Sequence, residues 1–105
     1  IANASEYIAA KHGVMGLTRA AAADYGARGI RVNAILPGII QTPVIDALSQ
    51  NLDFKTFLGK LKDRHPIGRF GQPEEIGDAA VWLLSDQSTF VNGATVPVDG
   101  GYLAI

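Results

Sequence analysis

The sequence predicts an α/β fold, and three observations predict it. A long alanine-rich stretch opens the chain. Two short apolar runs rich in β-branched residues follow, "IRVNAIL" from Ile30 and "ATVPV" from Ala94, and between them lies a second stretch with helical periodicity. Strand, helix-bearing crossover, strand is the order of a right-handed parallel βαβ unit.

Each element has its own signal. Asn3, with Glu6 three residues on, has the spacing of a capping box, and only isolated glycines interrupt the alanines until Gly26 and Gly29, which predicts a helix over 4–28. The run Ile30 to Leu36 is closed by Pro37-Gly38 and reads as a strand buried on both faces of a parallel sheet. From Thr42 to Pro66 the composition is mixed, with Leu48, Leu52, Phe54, Phe57, Leu58 and Leu61 among polar residues, which suggests one or two short helices. Pro73 suits a first helical position, and Glu74 and Glu75 suit the positive first turn that follows it. Ile76, Ala79, Ala80, Leu83 and Leu84 then recur at helical spacing. Asn92-Gly93 turns the chain into Ala94 to Val98, a strand that Pro97 assigns to a sheet edge or a bulge. Two parallel strands of this apolar character need helices above and below and further strands beside them. Residues 1–105 therefore read as a single partial domain, the back part of a larger α/β domain.

Composition narrows the function. Of 105 residues 48% are hydrophobic, enough for one globular core. Nine basic and ten acidic residues, spread singly to a net charge of -1, offer no stripe for nucleic acid. No apolar run approaches the roughly 20 residues of a membrane span, and the amino terminus lacks a signal-peptide layout, so a soluble, cytoplasmic protein without membrane partners is expected. The chain has no cysteine and two separated histidines, which leaves no expectation of a disulfide or a metal site. His12 and His65 have no carboxylate partner fixed in sequence and read as solvated or packing residues. Asn33 reads as an internal hydrogen-bonding group, and Trp82 as core or interface.

Tyr7 and Lys11 stand four residues apart and share one helix face. A phenol with the ordinary pKa of about 10 exchanges protons poorly near neutrality, and a neighbouring ammonium favours the phenolate. Such a pair suits acid/base work on an alcohol or carbonyl oxygen. Tyr-x-x-x-Lys alone is a loose pattern, and its spacing by itself favours a half-buried aromatic and a solvated lysine.

The surrounding sequence makes it specific. "YIAAKHGVMGLTRAAAADYGARGIRVNAILPGIIQTP", "GRFGQPEEIGDAAVWLLSD" and "VNGATVPVDGG" together resemble, in order, the catalytic helix, following strand and closing segments of the short-chain dehydrogenase/reductase family. The resemblance covers almost the whole chain. It implies the carboxyl-terminal portion of a doubly wound Rossmann-type parallel sheet and NAD- or NADP-dependent hydride transfer between an alcohol and a ketone. It makes Tyr7 the acid/base, and Lys11 the residue that favours its phenolate and hydrogen-bonds the nicotinamide ribose. Pro37 and Gly38 would lie at the cofactor, with Gly38 allowing backbone to approach the nicotinamide. Ile40 would pair through its main chain with the carboxamide, and Thr42 would hydrogen-bond the nicotinamide or the phosphates. Ala10 stands where the family signature most often has serine, a position outside the chemistry. Residues 43–66 correspond to the variable substrate lid, and their apolar side chains suggest an apolar or mixed substrate. Asp99-Gly100-Gly101 corresponds to a closing loop with a structural role. The helix bearing Ala20 to Ala23 and the terminal strand would form subunit contacts in a homo-oligomer, a dimer or tetramer.

Parts of the family pattern are missing from the sequence. It contains no glycine-rich pyrophosphate loop. The family's catalytic serine would fall upstream of Ile1, and Ser5 lies on the wrong element to replace it. The residue that separates NAD from NADP is also missing. Two readings follow: the catalytic half of an oxidoreductase, expected to be inactive by itself, or a truncated non-catalytic remnant acting only in oligomerisation or interaction.

Overall fold

A computed structural model of the chain describes residues 4–104. Helix α1 runs over Ser5–Tyr25 with Ala4 as its N-cap and no side-chain cap hydrogen bond. Asn3 of the expected capping box lies outside the described residues, and Glu6 contributes a negative charge in the first turn. The expected helix over 4–28 divides at its end. After Tyr25 the chain tightens into a 3-10 turn, Gly26–Arg28, and leaves it through Gly29 at φ +78°, a left-handed conformation that glycine adopts without penalty.

Strands β1 (Ala34–Pro37) and β2 (Thr95–Val98) form a two-stranded sheet. Ala34 N–H donates to Ala94 O at 2.9 Å and Gly38 N–H to Val98 O at 3.0 Å, a constant offset that makes the pair parallel. The expected strand over 30–36 starts four residues late. Val32 N–H is taken by the Asn92 side chain at 3.0 Å and Val32 C=O by Gly93 N–H at 2.8 Å, so side-chain and turn bonds replace the ladder there. Burial along β1 also departs from expectation, because Ala34 and Leu36 are buried while Ile35 is half-buried and Pro37 exposed. A strand covered on one face alternates in this way. In β2, Pro97 is exposed and has no N–H for a further neighbour.

By internal contacts the chain divides into two units, Ile1–Ala34 with Trp82–Val96, and Ile35–Val81 with Pro97–Ile105. In the first, Ala22, Ala34 and Leu83 are buried together with Thr18 and Ser88. Arg31 ties this unit down: its guanidinium donates to Ser88 Oγ at 3.2 Å, Val91 O at 3.1 Å and Ser85 O at 3.1 Å. Asn33 behaves as expected, donating to Val91 O and accepting from Ala94 N–H, both at 2.9 Å. Trp82 is exposed among the described residues.

In the second unit, the mixed segment forms α2 (Pro43–Leu48) and α3 (Leu52–Asp63), as its composition suggested. Thr42 caps α2, its Oγ1 accepting from Ile45 N–H, and the Asn51 side chain caps α3 through Asp53 N–H. Helix α4 spans Pro73–Leu84 and begins at the expected proline. Its stripe is half-buried at Ile76, Ala79 and Ala80 and buried at Leu83, whereas Leu84 is 85% exposed. Eight steps of about 100° turn Leu84 about 80° from Ile76, off the stripe. Leu36, Leu58, Phe70 and His65 form the interior of this unit.

Candidate active site

The second unit gathers four segments around the carboxyl end of β1. After Pro37 and Gly38, the chain makes a parallel bridge between Ile40 and Gly71. Gly71 N–H donates to Ile39 O at 2.9 Å, and Gln41 N–H donates to Gly71 O at 2.8 Å. In a parallel bridge the residues on either side of the central one make these bonds, so the N–H and C=O of Ile40 itself point to the opposite edge. Among the described residues they have no hydrogen-bond partner. A main-chain donor and acceptor side by side match the acceptor and donors of a primary carboxamide.

His65 supports this loop from behind. It is 2% exposed, and its Nε2 accepts from Ile39 N–H at 3.1 Å. Its Nδ1 lies 2.8 Å from Leu61 O, which can only accept, so Nδ1 carries the proton and Nε2 the lone pair. Phe70 meets the imidazole edge-on at 5.9 Å between centroids, and Tyr102 lies tilted at 5.1 Å. Of the solvated and packing roles that the sequence left open for His65, the structure gives the packing one and adds a buried hydrogen-bonding role.

Gly38 has a reason within the protein. A Cβ there would stand 2.8 Å from His65 Nε2 and 2.9 Å from Asp99 Cα. The resemblance linked this glycine to the approach of a nicotinamide, and the fold requires it for packing. The loop that follows Asp99 needs its glycines for conformation, as expected, with Gly100 at φ +60° and Gly101 at φ +92°. Asp99 holds that loop, one oxygen accepting from Gly101 N–H at 3.0 Å and the other from Leu103 N–H at 3.2 Å.

A cavity of about 250 Å³ opens here, lined among others by Gly38, Ile40, His65, Arg69, Glu75 and Asp99. Pro37 and Thr42 do not line it. Thr42 is half-buried at the start of α2, where its Oγ1 accepts from Ile45 N–H and keeps its hydroxyl proton for another acceptor. Arg69 grips both oxygens of Glu75 at 2.7 and 3.0 Å, and Gln72 N–H adds a bond at 2.8 Å. The Arg69 hydrogen bond first, then that from Gln72 N–H, hold the Glu75 carboxyl at about 2, below its usual 4.5. Neither this ion pair nor the role of His65 was singled out from the sequence. "RHPIGRFGQPEE" contains all of these residues, but their partners Ile39 and Leu61 lie elsewhere in the chain.

In the first unit, Tyr7 and Lys11 meet on one face of α1 as their spacing requires. Lys11 Nζ lies over the Tyr7 ring, 5.0 Å from its centroid. Tyr7 is 61% exposed and its hydroxyl has no hydrogen-bond partner among the described residues, so it is free to meet a ligand. His12 is exposed on the same helix and hydrogen-bonded to Ile8 O. Among the described residues no group of three or more histidines, cysteines or carboxylates could hold a metal ion, and no helix is long and apolar enough to cross a membrane.

Comparison with known proteins gives this geometry its setting. The family model for enoyl-(acyl carrier protein) reductase matches residues 1–103. The chain is 52% identical over 101 residues to 2,5-dichloro-2,5-cyclohexadiene-1,4-diol dehydrogenase of Sphingobium indicum, covering 95% of this chain and 39% of that protein. It is 47% identical over 102 residues to cyclohexanol dehydrogenase of an Acinetobacter species, covering 97% and 38%. Among solved structures, levodione reductase superposes with a TM-score of 0.88 at 44% identity, covering 99% of this chain and 42% of that one. An Agrobacterium tumefaciens protein solved with bound NADP gives 0.83 at 45% identity, covering 94% and 39%. The chain thus spans about two-fifths of the length of these relatives and shares the α/β fold of the solved ones over that span.

Proposed function

The chain belongs to the short-chain dehydrogenase/reductase family, and from that premise we propose that it carries the catalytic Tyr7 and Lys11 of an NAD- or NADP-dependent oxidoreductase interconverting an alcohol and a ketone. The observation that carries this reading is the exposed phenol of Tyr7 with the Lys11 ammonium over its ring.

When bound, the nicotinamide cofactor accepts or supplies the hydride. The unpartnered main-chain edge of Ile40 fits its carboxamide, with Pro37 and Gly38 shaping the loop and Thr42 offering a hydroxyl proton. Tyr7 handles the proton: as phenolate it takes the proton of the substrate hydroxyl while the carbon loses hydride, and as phenol it returns one to the carbonyl oxygen in reduction. Lys11, whose ammonium lies over the Tyr7 ring, has donors to spare for a ribose hydroxyl. The named substrates of the two relatives above are cyclohexane- or cyclohexadiene-ring alcohols, so small alicyclic secondary alcohols are the first substrates to assay. Residues 43–66, with Val44, Leu52, Phe54 and Phe57 exposed, would contact them.

In the full-length protein, Tyr7→Phe removes one hydroxyl from an exposed site, so the melting temperature should hold while turnover falls on the order of a hundredfold or more. Lys11→Met should weaken cofactor binding as well as turnover. Near-normal turnover in the phenylalanine variant would sink the assignment of Tyr7.

A further inference from the structure

We propose that His65 is a positioning residue for cofactor binding: its neutral imidazole fixes the Pro37–Thr42 loop in the form that presents the Ile40 main-chain edge, and protonation of Nε2 releases it. The inference rests on the function proposed above, and its basis is geometric. Among the described residues the only bond that Ile39 N–H makes is to His65 Nε2, one residue before the edge in question. The Nδ1 proton is committed to Leu61 O, so an added proton must go to Nε2. That would set two donors, Nε2–H and Ile39 N–H, against each other at 3.1 Å.

Among the described residues no carboxylate is hydrogen-bonded or ion-paired to the imidazole. From the closing loop comes Asp99, whose two oxygens are bonded to Gly101 and Leu103 N–H. From α4 comes Glu75, already held by Arg69 and Gln72. Arg69 lines the same cavity and repels a cation. Tyr102 lies against the ring with Arg64 over it, 5.1 Å from its centroid. On the histidine's own segment, Lys60, Lys62 and Asp63 are exposed at the end of α3. Gly38 closes the remaining side, since His65 fills the space where a Cβ would stand. The conflict between Nε2–H and Ile39 N–H is therefore relieved by moving the loop or the histidine, and either disturbs Ile40.

The test exploits the two ring nitrogens separately. Glutamine carries its oxygen within reach of the Nε2 position and cannot take up a proton, so His65→Gln keeps the acceptor for Ile39 N–H. Asparagine reaches only the Nδ1 position, so His65→Asn keeps the bond to Leu61 O and leaves Ile39 N–H unpaired. NADH binding, or NADPH binding where NADH does not bind, is measured by fluorescence titration of the full-length protein from about pH 8 to about pH 5. Wild type should weaken about tenfold on acidification, the glutamine variant should bind like wild type at the upper end and stay flat, and the asparagine variant should bind about tenfold more weakly throughout. If the asparagine variant does not fold, the comparison of wild type with the glutamine variant decides alone. Parallel pH profiles for wild type and His65→Gln, or asparagine binding equal to wild type at about pH 8, would overturn the role of His65 and leave the proposed function standing. No saturable binding by wild type at any pH would overturn both.

Discussion

Gly38→Ala separates two reasons for a glycine at the end of β1. The added carbon would stand 2.8 Å from His65 Nε2, 2.9 Å from Asp99 Cα and 3.1 Å from Asp99 Cβ. Comfortable separations between such atoms are about 3.5–4.0 Å, so something must move by roughly half an ångström or more. Neither neighbour yields freely. Asp99 Cα is backbone within a loop pinned by its own carboxylate, and His65 is held at both nitrogens. Overpacking of this kind costs about 1–3 kcal/mol, and parting His65 from Ile39 N–H costs about 1–3 kcal/mol more. A loss of about 3 kcal/mol is large against a total stability of about 5–15 kcal/mol. With a urea dependence of about 3 kcal/mol/M, the unfolding midpoint of the full-length protein should fall by about 1 M. Gly59→Ala is the control: a Cβ there meets nothing within 4 Å, and its site inside α3 should gain about 0.5–1 kcal/mol. If Gly38→Ala weakens NAD(P)H binding and leaves the urea midpoint in place, the packing argument is wrong and the glycine is there for the cofactor.

Three further outcomes are expected. Glu75 has a folded pKa of about 2 against 4.5, so its stabilising contribution is complete above about pH 4.5 and is lost as pH falls through about 2; urea midpoints of wild type and Glu75→Gln should therefore differ at neutral pH and converge on acidification, and a constant gap would disprove the linkage. The full-length protein should be a homo-oligomer, because α1 offers exposed Leu17 and Val14 beside the small Ala20 and Ala23, and light scattering that reports a monomer at micromolar concentration would contradict this. Residues 1–105 expressed alone should bind hydrophobic dyes and melt without a cooperative transition, because Leu17, Ile8, Val81, Leu84 and Phe90 are exposed and each such side chain left in water forfeits about 1.5–3 kcal/mol; a sharp, reversible melt of a monomer would refute this.

Local signals made most of the fold legible. Pro73 with Glu74 and Glu75 marked the start of α4 to the residue, since that start is a matter of backbone geometry and the helix dipole. Tyr7 and Lys11 meet because i and i+4 always do on a helix. Where long-range partners decide, the sequence misled. Residues 30–33 have strand composition, yet Asn92 and Gly93, some 60 residues away, take the main-chain groups of Val32. Leu84 fits the apolar period by count and lies off the stripe by angle.

His65 marks the same boundary at the site. Between Arg64 and Pro66 nothing distinguishes it from a surface histidine, because the groups that define it, Leu61 O and Ile39 N–H, are main-chain atoms with no signature in side-chain identity. The glycine at 38 was readable, although for a different reason. Its missing side chain makes room for that histidine, and the histidine in turn holds the residue beside Ile40. The small residue and the buried ring thus form one device, and substituting either should disturb the same main-chain edge. Gly38→Ala and His65→Asn should therefore be less than additive in their effect on cofactor binding, since each removes the support that the other also removes. Strict additivity in the double variant would mean that the two residues act on the loop independently, and that Gly38 has a contact with the ligand of its own.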